Sequence, residues 1–363
     1  MSSINKIFYG RQSISDSDIQ NVTKSLINKT LTQGPLVTKL ENDFKKYLGS
    51  KFALVCSSGT AALHLSLLAI GIKKNDIIIM PSINFIAVYN LSISLGAKVI
   101  LIDVDPLTGQ MIPEKVLKSI NSKNKDNIKA IVTMNLGGYP ENIKKFFDIK
   151  KKFGLYLIED ACHALGSNFL YNNKLKKIGS CKYADISTFS LHPLKVITSG
   201  EGGVISTNNH YLARKIEMLR SHGLKKNKKH YWKYTHEDFG YNYRLSEINC
   251  SLAISQLSRI ENFIKKRKKI AQYYVKNLTT LKDFITIPNY SSFNFSSFHL
   301  FVIHINLKNL KGTKDDFFKF LNKKNIYPQF HYMPIYRIVK SIKFNLNKFK
   351  NTEKYYKTAV SIP

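Results

Sequence analysis

Between residues 50 and 205 the chain repeats one pattern: a short, nearly uninterrupted apolar run, then a stretch long enough for a helix. The runs are Lys51–Cys56, Asp76–Met80, Lys98–Asp103, Lys129–Met134, Leu155–Ile158 and Ile186–Ser190. A strand that is apolar on both sides must be covered on both faces, and parallel neighbours need a crossover between them. The pattern therefore predicts an α/β fold with a mostly parallel sheet between layers of helix. Ser57-Ser58-Gly59 reads as the turn out of the first strand, and Thr60–Ile70 as a helix of good formers.

The character changes near residue 245. Leu252, Ile254, Leu257, Ile260 and Ile264 recur at helical spacing beneath a Lys/Arg-rich face, which predicts one long helix over Leu245–Leu278. A β-type run at Ser297–Ile305, a helix at Asp315–Asn322 and a strand near Tyr327–His331 follow. The expected division is a large domain over 1–244, N-terminal segment included, and a smaller α+β domain over 245–363. Two basic low-complexity patches, 118–129 and 224–233, interrupt the chain, and no internal repeat is present.

Charge raises a question of partners. Fifty-six Lys+Arg against 24 Asp+Glu give a net charge of +32, an excess of the kind nucleic-acid-binding proteins carry. Only seven of those cations are Arg, the residue favoured for base reading and bidentate phosphate contacts. No helix-turn-helix, RNA-recognition or zinc signature accompanies them, so the excess reads as compositional bias of a Lys-rich surface and no nucleic-acid partner is expected. Cys56, Cys162, Cys181 and Cys250 show neither a CxxC pair nor His partners at zinc spacing. They read as reduced thiols, and no metal is expected. The opening MSSINKIFYGRQ is not a secretion signal, and no apolar stretch approaches membrane length. A cytoplasmic protein without membrane attachment is the expectation.

Three segments carry the chemistry. In STFSLHPLKVITSGEGGV (Ser187–Val204) a strand ends at Ser190, Lys195 follows five residues later, and a Gly-rich tetrad comes next. A lysine in a desolvated pocket can lose its proton and attack an aldehyde. Ser57–Ala62 joins a strand to a helix, where free N–H groups and a glycine can receive a phosphate; an ordinary capped turn would look the same. Leu155–Ser167 (LYLIEDACHALGS) puts Asp160 at the carboxyl edge of the sheet, where open α/β folds bind ligands; a helix N-terminus would also suit the Glu159–Asp160 pair. Jointly the three fit one ligand, pyridoxal phosphate. Its phosphate needs the helix start, its aldehyde Lys195, and its ring nitrogen the anion of Asp160. Phe85, just past a strand end, is placed either to cover the ring or to pack in the core.

These segments resemble the DegT/DnrJ/EryC1/StrS family of sugar aminotransferases, pyridoxal-phosphate enzymes of fold type I. The resemblance covers nearly the whole chain: YGRQSI, LTQGP, SSGTAALHL, IEDACHALGS, FSLHPLKVITSGEGG, RSHG, GYNYRLSEI and QFHYMPIY. YGRQSI, RSHG and HYMPIY are most similar to the branch that aminates C4 of a UDP-linked 4-keto-6-deoxy-N-acetylhexosamine. The resemblance implies that Lys195 is the Schiff-base lysine and proton shuttle, and that Asp160 partners the pyridinium. It implies His163 near the cofactor's phenolic oxygen, Gly59, Thr60, Ala61 and Ser190 as the phosphate cup, and Phe85 as the stacking aromatic. Asn242 matches a residue that reaches the phosphate of the neighbouring subunit, which implies a homodimer. Tyr9, the stretch Lys29, Thr30, Leu31, Thr32, and the stretch Gln329, Phe330, His331, Tyr332 match sugar-nucleotide contacts, and glutamate is the implied amino donor.

Two departures stand out. Asn84 occupies a position where Thr is more usual, and the family continues for about one further helix past the SIP motif on which this sequence ends, so the last element of the small domain is expected to be missing. A dehydratase branch carries His in place of the Schiff-base lysine; Lys195 argues for amino transfer. A regulatory homologue that binds the cofactor without turnover is the rival within the fold.

Overall fold

The computed structural model describes residues 6–27, 30–227, 229–230 and 232–363. Seven strands form the central sheet: β1 (Phe52–Cys56), β2 (Ile77–Pro81), β3 (Lys98–Ile102), β4 (Ile128–Met134), β5 (Tyr156–Asp160), β6 (Ile186–Ser190) and β7 (Gly203–Thr207). Their order is β1-β7-β6-β5-β4-β2-β3. Every pairing is parallel except the two made by β7, which runs against β1 and β6.

Alternation within each strand sorts side chains to the two faces. Leu54, Cys56, Ile78, Met80, Val132 and Ile158 pack in one cluster with helices Gly59–Ala69 and His210–Leu219. Ile77, Ile79, Ile131 and Leu157 pack on the other face with Phe146 and Ile149 of helix Ile143–Phe153. Ala53, Val55, Phe189 and Val204 meet Leu40, Phe44 and Leu48 of helix Pro35–Leu48. Both faces are covered, as the unbroken apolar runs require. The sequence pattern overlooks β7, whose apolar core is only Val204-Ile205. The twelve residues between β6 and β7 form no helix to cross the sheet, and β7 returns antiparallel.

The expected long helix is two helices, Glu247–Ser258 and Ile260–Leu278, broken at Arg259 (φ −106°, ψ 2°). The environments differ. Cys250, Ala253 and Leu257 of the first are buried against helix Pro35–Leu48, whereas the second buries only Ile260 and Ala271 and leaves its lysines in water. Arg259 joins the buried carboxylate of Asp18, which tethers the break to helix Asp16–Ile27.

The C-terminal part builds an antiparallel sheet from Ile285–Thr286, Phe301–Ile305 and Ala359–Ile362. Helix Lys314–Lys323 starts with a reciprocal capping box between Thr313 and Asp316. The strand expected over Tyr327–His331 is shorter and lies earlier, at Ile326–Tyr327, because Pro328 has no N–H to continue a ladder. It pairs in parallel with Ile7–Phe8, so the N-terminal arm crosses to this part of the molecule. All four cysteines are free. Among the described residues no helix is long and apolar enough to cross a membrane.

Candidate active site

β1, β5 and β6 all end at the same edge of the sheet, at Cys56, Asp160 and Ser190, with the start of β7 between β1 and β6. A cavity of about 650 Å³ opens there. Ser58, at the start of helix Gly59–Ala69, caps it by accepting the Ala61 N–H at 3.0 Å. The amides of Gly59 and Thr60 have no partner within the helix, and both residues line the cavity. A Cβ on Gly59 would sit 2.8 Å from Ser190 Cβ and 3.3 Å from Cys162 Sγ, so only glycine lets the helix start approach β6. Gly203 plays the matching part on β7: a Cβ there would come within 2.1 Å of the Ser58 carbonyl oxygen. The end of the Gly-rich tetrad is thus explained by close packing under the cup.

Asp160 is buried, and its Oδ1 accepts the Cys162 N–H at 3.2 Å. Burial pushes its pKa up, and the nearby Lys195 ammonium opposes that. Lys195 sits in the loop between β6 and β7, where burial lowers its pKa while Asp160 holds it up. The neighbour Glu159 faces away, buried, and accepts the Ser187 hydroxyl at 2.5 Å; burial raises its pKa to about 7. Phe85 is 53% exposed, an unusual state for a phenylalanine, because its ring stands in the cavity wall. Its backbone N–H is held by Asn84 Oδ1 at 2.7 Å, so the asparagine serves as a turn residue there.

Tyr9, Gln329, Phe330, His331 and Tyr332 line the same cavity. The pairing of Ile7–Phe8 with Ile326–Tyr327 brings the two segments together, and Tyr9 meets the His331 ring edge-on at 5.1 Å. His163 Nε2 lies 2.9 Å from Tyr332 Oη, and burial and Lys195 force the imidazole pKa well down. Ser190 completes the wall, its Oγ accepting the His192 N–H at 3.3 Å.

Other expected site residues lie elsewhere. Ala61 is buried with its amide already taken by Ser58 and does not line the cavity. Leu31 and Thr32 are fastened to the start of helix Glu247–Ser258: Leu31 O accepts the Glu247 N–H at 2.9 Å, and Thr32 bridges to Ser246. Thr30 adjoins Gly34 in the same turn. Lys29 lies outside the described residues. Asn242 is exposed and bridges to Ser221, outside the cavity of its own chain. Conversely, Cys162, His192, Glu201 and His299 line the cavity without having been singled out. The first three lie within two segments already quoted, while His299, in the run leading to strand Phe301–Ile305, carries no local motif.

A family model described as the DegT/DnrJ/EryC1/StrS aminotransferase family matches residues 12–363. The chain belongs to this family. As a DegT/DnrJ/EryC1/StrS enzyme it is a pyridoxal-phosphate-dependent sugar aminotransferase. The UDP-4-amino-4,6-dideoxy-N-acetyl-beta-L-altrosamine transaminase of Campylobacter jejuni (strain 81-176) is 37% identical over 359 residues, 98% of this chain and 92% of that protein. The GDP-perosamine synthase of Caulobacter vibrioides is 32% identical over 304 residues, 83% of this chain and 78% of that protein. Among solved structures, Helicobacter pylori PseC, an aminotransferase involved in the biosynthesis of pseudoaminic acid, superposes with a TM-score of 0.87 at 30% identity. That match covers 99% of this chain and 94% of PseC. The cavity fits the family's cofactor: free helix-start amides for a phosphate, a buried carboxylate for a ring nitrogen, a recessed lysine and an aromatic wall.

Proposed function

We propose that this aminotransferase moves an amino group from glutamate to C4 of a UDP-linked 4-keto-6-deoxy-N-acetylhexosamine, forming UDP-4-amino-4,6-dideoxy-N-acetyl-β-L-altrosamine for nonulosonic (pseudaminic) acid synthesis. The observation that carries the reading is the meeting of Lys195, Asp160, Phe85 and the Gly59–Thr60 amides around one cavity. The names of the Campylobacter transaminase and of PseC support the choice of sugar. When bound, pyridoxal phosphate supplies an aldehyde that takes up the amino group and a ring that accepts electrons. The Gly59 and Thr60 amides and Ser190 would hold the phosphate, and Phe85 would cover one ring face. Asp160 would keep the ring nitrogen protonated.

Lys195 Nζ is less basic than a surface lysine because it is buried. That shift favours the neutral amine, which would take a proton from the donor's α-carbon and later return one to C4 of the sugar. Tyr9 and Gln329–Tyr332 would bound the sugar, and the stretch Lys29–Thr32 would reach the nucleotide. Asn242, exposed on its own chain, would complete the phosphate site of a second copy in a cytoplasmic homodimer.

The test is a panel of UDP-, GDP- and dTDP-linked 4-keto sugars offered with glutamate, with products read by mass spectrometry. Amination of the UDP-linked N-acetyl sugar supports the assignment. Preference for a GDP-linked sugar would move it toward the activity for which the Caulobacter relative is named. A purified protein that binds no pyridoxal phosphate, or one whose Lys195→Ala variant still aminates, would overturn the mechanism.

A further inference from the structure

The cavity contains a line of hydrogen bonds whose direction is set from one end. The Gly137 N–H, in the turn after β4, points at His163 Nδ1 at 3.3 Å. A backbone N–H can only donate, so Nδ1 must be the accepting nitrogen. Burial, with Lys195, His299 and His331 close by, keeps the imidazole neutral, and its single proton then sits on Nε2. Nε2 lies 2.9 Å from Tyr332 Oη. His163 therefore donates to Tyr332. The phenol keeps its own proton, because burial and Asp160 raise its pKa well above the ordinary value. That proton cannot point back along a bond in which Oη is the acceptor, and among the described residues Oη has no other partner. It is left facing the cavity, where the Tyr332 ring lies 5.9 Å from that of Phe85.

The arrangement is braced from behind. His299 packs against His163 with ring centroids 4.2 Å apart. Arg267 fixes the backbone there by donating to the carbonyls of Phe298 and His299, each at 3.2 Å, and Phe298 adopts φ +51°. A bulky residue in the left-handed region is uncommon and marks a backbone held by its surroundings.

We propose that His163 is a positioning residue for Tyr332, and that the Tyr332 hydroxyl donates to the carbonyl oxygen of the keto sugar. The proposal rests on the sugar-amination reading above. As an amine adds to C4, the carbonyl π pair moves onto oxygen, and a donor already aimed at that oxygen is worth most at this moment. The amino-acid half meets a ketone oxygen only at its last step, when water releases the 2-oxo acid and the cofactor absorbance has already changed, so the absorbance readouts of the two halves should depend differently on Tyr332.

The experiment follows each half-reaction separately on the holoenzyme, by the change in cofactor absorbance after adding glutamate or the keto sugar. Tyr332→Phe is expected to slow the sugar half by roughly 10²-fold and the glutamate half by no more than about threefold. His163→Leu should slow the sugar half in the same sense. His163→Gln, whose amide N–H can reach the Nε2 position, should restore most of the rate. In a Tyr332→Phe background His163→Leu should cost nothing further, since residues acting through one another are not additive. Nitrogen NMR of the histidines, in enzyme with or without cofactor, should find the His163 proton on Nε2. Equal losses in both halves, additive losses, or a proton on Nδ1 would each overturn the proposal. A wild-type enzyme that accepts amino groups but aminates no nucleotide-linked keto sugar would remove the functional reading, and the assigned acceptor with it.

Discussion

Gly59 and Ser190 meet above the start of β7, which lies between β1 and β6: a Cβ on the glycine would lie 2.8 Å from the serine Cβ. The contact seats the start of helix Gly59–Ala69 directly over the end of β6, so that helix amides and a serine hydroxyl converge on one point. Gly59→Ala must push these elements apart, and overpacking of this kind costs about 1–3 kcal/mol. The expected result is a folded protein with reduced thermal stability and markedly weaker pyridoxal phosphate binding, measured by absorbance titration. Unchanged affinity would show that the helix start does not hold the phosphate.

Asp160 is the buried carboxylate nearest in role to the reaction, since burial raises its pKa and the Lys195 charge pulls the other way. Asp160→Asn keeps size and hydrogen-bonding shape while removing the charge. Loss of one preorganised electrostatic group usually costs roughly 10²–10³ in rate. Both half-reactions should fall by that order, with cofactor still bound. A variant that retained full turnover would dismiss Asp160 as the ring-nitrogen partner.

Glu247 supports the fold from a distance. It is fully buried, and its two oxygens accept the N–H groups of Gly34, Leu36 and Val37 at 3.0–3.1 Å, capping helix Pro35–Leu48 from another helix. Glu247→Ala would take the acceptor from three half-buried donors, a change whose full cost for a buried donor is on the order of 1–3 kcal/mol. We expect a loss of at least about 3 kcal/mol by denaturant unfolding, and weaker order in the Thr30–Thr32 turn that leans on Ser246 and Glu247.

What the sequence disclosed and what it withheld divide along a physical line. The sheet was legible because its strands are continuously apolar, Asp160 and the Gly59 turn because they sit at strand ends, and Lys195 because a Gly-rich tetrad follows it in the loop after β6. β7 escaped because two apolar residues behind the Gly-rich tetrad look like loop. The break at Arg259 escaped because helical spacing runs through it, and only the change from a buried to a half-exposed environment separates the two helices. The pairing of Ile7–Phe8 with Ile326–Tyr327 joins opposite ends of the chain, and nothing local to either encodes it. The same holds for His299, which reaches the cavity through tertiary packing alone.

Glu159 gives a test of the strand that carries Asp160. It lies on the opposite face from its neighbour, wholly enclosed, with the Ser187 hydroxyl as its donor and a pKa raised to about 7. In the unfolded chain the same group titrates near 4.3. The folded state thus holds its proton more tightly than the unfolded state does. The stabilisation that follows is complete below about pH 4 and disappears as pH rises through about 7. The span corresponds to something on the order of 3 kcal/mol. Glu159→Gln carries no titrating group and should flatten this part of the profile. Relative to wild type, the variant is expected to gain stability between pH 5 and pH 8, measured by urea unfolding at each pH. A constant difference across that range would mean that Glu159 is ionised in the fold with a pKa near its ordinary value, and that β5 is more open to water than its burial implies.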